Sequence, residues 1–271
     1  MRKYEINQPL MEILEDEQRK ILFGALVLLN VPGVMRQVAE ILAKHNVNIL
    51  SGIHYGPPKS KENVWIFSAD FTQADAPPEK VFREIKKLEA VLSLEYGVEK
   101  YGRILLPPFS IKLNVLNKGV IIQKKTWLRE VNRVIVEEFG TGAEALIFHI
   151  GFKAGYRIVD HWARVSGLEG RRLIVLALEA MKLFNWISEY EILKLDLEKP
   201  DIIFRVWDLM DCTPFRGKMD SPTSHYFRGI ISGLASRIAG KQVIFTETKC
   251  VAKGDPYCEF KIRLNKNRFK L

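Results

Sequence analysis

Between Val243 and Leu264 the chain reads VIFTETKCVAKGDPYCEFKIRL. Two alternating runs, rich in β-branched and aromatic residues, flank the turn-forming tetrad Lys253-Gly254-Asp255-Pro256, a pattern that predicts an antiparallel hairpin. The turn sets Cys250 and Cys258 close to cross-strand partners, so two of the chain's three cysteines enter one small volume. Glu247 lies three residues before Cys250. On a regular strand these two side chains point to opposite faces, so joint action needs a bulge or a strong twist. Three readings are open for the sulfurs: metal ligands, a cross-strand disulfide, or small side chains filling a sheet face.

Compartment bears on that choice. The first twenty residues carry acidic side chains and no apolar core segment, unlike a signal peptide, and no apolar run reaches transmembrane length. A cytoplasmic protein with reduced or metal-bound cysteines is the expectation. The net charge of +9 is spread along the chain and is dense only between Lys261 and Lys270. It reads as a solvated Lys/Glu-rich surface of the kind common in thermophiles. Zinc-finger spacing and a tri-helical helix-turn-helix pattern are missing from the sequence, so neither direct nucleic-acid binding nor membrane binding is expected.

The chain length suits two domains. Residues 1–20 read as a polar lead-in with one short helix at 9–17. An apolar run at 21–30 suits a buried strand. Val31-Pro32-Gly33 breaks it, and 34–46 follows with Val34, Val38, Ile41 and Leu42 on one helical face. Strands at 47–56 and 63–71, a helix at 78–92 and a strand at 93–102 complete βαββαβ, the ferredoxin-like split motif, over 21–103. The stretch LLNVPGVMRQVAEILAKHNVNILS resembles the opening of an ACT domain, with Asn30, Pro32, Gly33 and Asn48-Ile49 at the characteristic positions. The resemblance implies an amino-acid site at Asn30, Pro32, Gly33, Val34, Ile49 and Ser51, across a dimer interface. The physics agrees: Gly33 permits close backbone approach, and the helix N-terminus offers amides to a carboxylate.

A linker and hairpin are expected at 104–126, around Pro107-Pro108 and Asn117-Lys118-Gly119, and a second α+β domain with an antiparallel sheet at 127–265, before a basic tail at 266–271. Its pattern is helices at 127–139, 143–165 and 170–182, two strands joined at Pro200-Asp201, a helix at 222–239, and the hairpin. Gly151 and Gly155 offer a smooth strip for close helix packing. Gly229, Gly233, Gly240, Glu247, Cys250, Gly254, Asp255 and Cys258 resemble the 4-vinyl reductase-type pattern of a Gly-rich helix, Glu-x-x-Cys and a second cysteine. The family shares its fold with TRAPP-type trafficking subunits and with haem-based sensors, and it serves as the effector-sensing module of phenol-responsive activators. In those relatives zinc is held by the Glu and both Cys, plus a cysteine that falls on Ser224 here. The resemblance therefore implies zinc at Glu247, Cys250 and Cys258, with His225 or Cys212 as the fourth ligand. The wall of a ligand pocket is assigned to Phe148, His149, Phe152, Trp162, Phe184, Trp186 and Trp207, and His149 is the candidate for haem, the less favoured cofactor.

Together these readings describe a homodimeric small-molecule sensor that acts through a partner such as a DNA-binding regulator. No Ser/His/Asp set, P-loop or paired carboxylates stand out, so no catalytic residue is assigned. An enzyme or accessory protein of tetrapyrrole or aromatic metabolism, or a TRAPP-like assembly subunit, are the alternatives.

Overall fold

A computed structural model describes residues 11–115, 117–199 and 201–262, without the side chains of 128, 129, 132 and 141. The chain divides into two compact units between Asn114 and Val115. The expected tail at 266–271 and the first ten residues lie outside the described part.

In the first unit the apolar run becomes the central strand. The short strand β1 (Glu12–Ile13) precedes β2 (Ile21–Leu29), α1 (Val34–Lys44), β3 (Asn48–Tyr55), β4 (Glu62–Asp70), α2 (Pro78–Lys86) and β5 (Val91–Gly97). The sheet order is β3-β4-β2-β5, with every pairing antiparallel. Flanked on both edges, β2 buries Phe23, Leu26 and Leu28 and has no strand edge to keep polar. Both helices bury their apolar stripes, Val34, Val38 and Leu42 from α1 and Val81, Phe82 and Ile85 from α2. They share a core with Leu26, Leu28, Trp65 and Phe67 of the sheet. Gly33 caps α1 at φ +86°, a left-handed conformation in which glycine is unstrained.

Four expectations are corrected here. The helix expected at 9–17 is absent from 11–17; Glu12 and Ile13 instead pair with β7 (Ile104–Leu106). That strand also pairs with β6 (Glu99–Tyr101), so 104–106 is sheet rather than linker. The small sheet covers a separate cluster of Leu14, Ile21, Phe23 and Leu105. Helix α2 ends at Lys86, and Val91 opens β5, because hydrogen bonding to β2 outweighs a helical period continued by only Leu88 and Val91. The strand expected at 93–102 accordingly divides at Val98 into β5 and β6.

After a two-stranded ribbon, β8 (Asn114–Val115) with β9 (Lys118–Gly119), the second unit runs α3 (Lys125–Phe139), α4 (Thr141–Ser166), α5 (Gly170–Leu183), β10 (Glu189–Asp196), β11 (Asp201–Trp207), α6 (His225–Ala239), β12 (Phe245–Lys249) and β13 (Cys258–Ile262). Its antiparallel sheet has the order β10-β11-β13-β12. Helices α4 and α6 cross with their backbones almost touching. A Cβ added at Gly155 would lie 2.1 Å from the Ile230 carbonyl oxygen, and one at Gly233 would lie 2.0 Å from that of Phe152. This approach holds α6 between α4 and the sheet, where Phe227, Ile231 and Leu234 enter the core with Phe204, Phe245 and Phe260. No described helix is long and apolar enough to cross a membrane.

Candidate metal centre

The hairpin forms with a defect in its first strand. In β12 the pairing Glu247↔Phe260 is followed by Lys249↔Glu259, so Thr248 is a bulge. The extra residue turns Glu247 and Cys250 toward the same side, which a regular strand cannot do across three residues. Cys250 follows directly on β12, and Cys258 opens β13. Val251–Lys253 then forms a tight 3-10 turn, held by the Cys250 amide donating to Asp255 Oδ2 at 2.8 Å and the Val251 amide donating to Cys258 Sγ at 3.4 Å.

Cys212 completes the group. It lies in the loop after β11, where a short 3-10 turn at Thr213–Phe215 follows. The thiol sulfurs of Cys212, Cys250 and Cys258 and a carboxylate oxygen of Glu247 all lie within 4.8 Å of one another, and all four residues are buried. The Cys250 and Cys212 sulfurs are 3.5 Å apart, and Cys212 Sγ is 3.7 Å from Glu247 Oε1. All three thiols are free, so the cross-strand disulfide is not formed. Ser224 donates a hydrogen bond to Glu247 Oε2.

The electrostatics suit a cation. Burial, then the nearby Cys250 charge, push the Glu247 carboxyl up to about 8. Hydrogen bonds from the Cys212 and Cys258 thiols favour Cys250 as the thiolate, well below its ordinary range. The same bond to Cys250, with burial, holds the Cys212 thiol protonated. Four buried donors lie together with no Lys, Arg or His among them, a setting in which a bound cation would offset their mutual repulsion. Three sulfurs and one oxygen number the four ligands of a closed tetrahedral site.

His225, the other candidate for the fourth position, lies outside the group. Its Nε2 is 3.6 Å from Glu144 Oε1 and its Nδ1 is 3.5 Å from the Arg228 guanidinium, while burial lowers its pKa. Of the expected pocket-wall residues, Phe148 and Phe152 pack along α4, Trp186 against Tyr226, and Trp207 against Tyr257. Trp162 packs on the main core, whereas His149 and Phe184 are exposed. A cavity of about 250 Å³ lies elsewhere in this unit, among Ile147 of α4, Val136 of α3, and Met210, Phe215, Thr223 and His225. No periodicity marks that loop lining, so the sequence carries no signal for it.

In the first unit, Asn30, Pro32, Gly33 and Val34 line one surface depression, together with Arg36, His54 and Asn63. Val34 also reaches the core. Asn30 Nδ2 donates to the carbonyls of Pro57 and Ser60, at 3.3 and 3.0 Å. Ile49 packs on the core side and Ser51 bonds Ser68 at 2.7 Å, so neither lines the depression. Asn63 was not anticipated. Its Nδ2 donates to the Leu29 carbonyl, while its buried Oδ1 has no partner among the described residues. The available signal was an asparagine in phase with the buried Trp65 and Phe67 of β4.

Models of known families match both units, an AHAS small subunit-like ACT domain at residues 25–93 and a 4-vinyl reductase-type domain at 207–264. An uncharacterized protein of Methanocaldococcus jannaschii, MJ0150, is 27% identical over 132 residues, 49% of this chain and 71% of that protein. Among solved structures, the phenol-responsive sensory domain of the transcription activator PoxR, with phenol, aligns at 18% identity and a TM-score of 0.48, over 54% of this chain and 76% of that one. A vinyl-4-reductase family protein of M. jannaschii aligns at 17% identity and a TM-score of 0.36, over 53% of this chain and 83% of that one. The chain carries an ACT-like domain and a 4-vinyl reductase-type domain, and all four residues of the buried cluster fall within the match to the latter.

Proposed function

We propose that this protein is a small-molecule sensor whose 4-vinyl reductase-type unit is held together by a structural zinc ion on Cys212, Glu247, Cys250 and Cys258. The carrying observation is the closed donor set: four buried protein ligands fill every position that a structural zinc takes. Such a site cross-links the loop before α6 to both strands of the hairpin, and its binding energy becomes folding energy. A small ligand then occupies this second unit. The loop that supplies Cys212 also lines the 250 Å³ cavity through Met210, Phe215 and Thr223, which supports a ligand there whose binding depends on the ordered loop. In the ACT-like unit, the depression at Asn30–Val34, lined also by Arg36, His54 and Asn63, is a site for an amino acid. The protein acts as a homodimer on a separate partner such as a DNA-binding regulator, and two ligand-biased units provide the states such a relay needs.

Metal analysis and native mass of the purified protein test this reading. One zinc per chain in a dimer, lost on replacing Cys250 or Cys258 by Ser, is the expected result. Binding of amino acids and small apolar compounds is then followed by thermal shift. Metal-free protein that folds equally well without either cysteine sinks the zinc site, and a monomer that no compound stabilises sinks the sensor.

A further inference from the structure

Ser224 occupies the N-cap of α6, where a serine hydroxyl ordinarily accepts a hydrogen bond from the second or third amide of its own helix. It makes no such bond. The third amide, that of Phe227, instead donates at 3.0 Å to Asp211 Oδ2, so the capping role has passed to the neighbour of Cys212. The freed Ser224 hydroxyl, only 1% exposed, donates to Glu247 Oε2. Glu247 Oε1 is left toward the sulfurs, 3.7 Å from Cys212 Sγ.

We propose that Ser224 is the positioning residue of the metal centre, holding Glu247 by one carboxylate oxygen so that the other faces the three thiols. A buried carboxylate with one oxygen unpaired would be costly and free to rotate. A hydroxyl donor on Oε2 satisfies that oxygen and selects a single rotamer, and partners of this kind orient ligating side chains in metal sites generally. Asp211 ties the start of the 211–224 loop to the first turn of α6, and Ser224 ties its end to the carboxylate of the cluster. The inference rests on the metal reading above.

Its test compares full-length wild type with Ser224→Ala and Ser224→Thr, measuring zinc affinity by chelator competition and the absorption spectrum of the cobalt(II) form. Removing an outer-shell partner typically weakens metal binding about 10–100-fold. That loss is expected for Ser224→Ala, with altered ligand-field bands, while Ser224→Thr keeps the hydroxyl and stays close to wild type. Ser224→Gly, well suited to an N-cap, is a second hydroxyl-free variant if the alanine protein does not fold. Unchanged affinity and spectrum in a hydroxyl-free variant overturn the positioning role, even if the metal-free protein is destabilised. Wild type that takes up neither zinc nor cobalt overturns the metal centre itself and this role with it.

Discussion

Single residues carry the sharpest chemistry in this molecule. Cys212 and His225 competed for one position, and the fold puts the thiol 3.7 Å from Glu247 while the imidazole faces Glu144. Cys212→Ala is therefore expected to abolish stoichiometric metal, whereas His225→Ala keeps one metal per chain, as read by elemental analysis of the folded proteins. Equal loss in both would place His225 among the ligands. In the ACT-like unit, His45 is only 5% exposed. Its Nδ1 bonds Asp75 at 2.7 Å, and its Nε2 lies 3.2 Å from Glu84 but off the hydrogen-bond axis. The bond to Asp75, then Glu84, raises its pKa above the ordinary 6.5. Since the folded value lies above the unfolded one, the stabilisation is fully present below that ordinary value and is lost as pH rises through the folded value. Hydrogen exchange in β2 and β4 should accordingly show opening that becomes easier, beyond the chemical rate, as pH rises through that window, and His45→Gln should flatten the trend. A pH-independent wild type would refute the linkage.

At the scale of elements, two local devices place the site. The Thr248 bulge brings Glu247 round to Cys250, and the glycine contact between α4 and α6 brings Ser224 and Phe227 down onto the sheet. Neither helix could come so near with side chains at the crossing. Gly155→Ala puts a methyl 2.1 Å from a backbone oxygen that belongs to the facing helix and cannot rotate away. Overpacking of this sort costs about 1–3 kcal/mol or more. Denaturant titration should show at least that loss, and Gly142→Ala, with open space around its Cβ, should not. A Gly155→Ala protein as stable as wild type would mean that the crossing is looser than described.

For the molecule as a whole, the division into two units makes the response to chelation separable. The cluster cross-links only the second unit, so stripping the metal should lower one calorimetric transition and leave the other, that of the ACT-like unit, in place. One transition that moves as a whole would show the units to be energetically fused. The sequence by itself determined the order and kind of most elements. The near-continuous apolar run of β2, the helical stripe of α1 and the turn at Lys253–Pro256 each rest on contacts among near neighbours, which a period of two or about 3.6 records. It also marked Glu247, Cys250 and Cys258, because a hairpin folds them together over a dozen residues, and it showed that a bulge or a strong twist was needed, of which the structure has the bulge. Elements whose pattern was too short to register, such as β1 and the end of α2, were decided by pairing with distant strands. The fourth member of the cluster was decided in the same way. Cys212 stands 35 residues from Glu247 in an aperiodic loop, and nothing local separates it from His225. Only the packing of that loop against the hairpin selects the thiol, because a donor set is fixed by distances of a few ångströms through space and those are set by the tertiary fold.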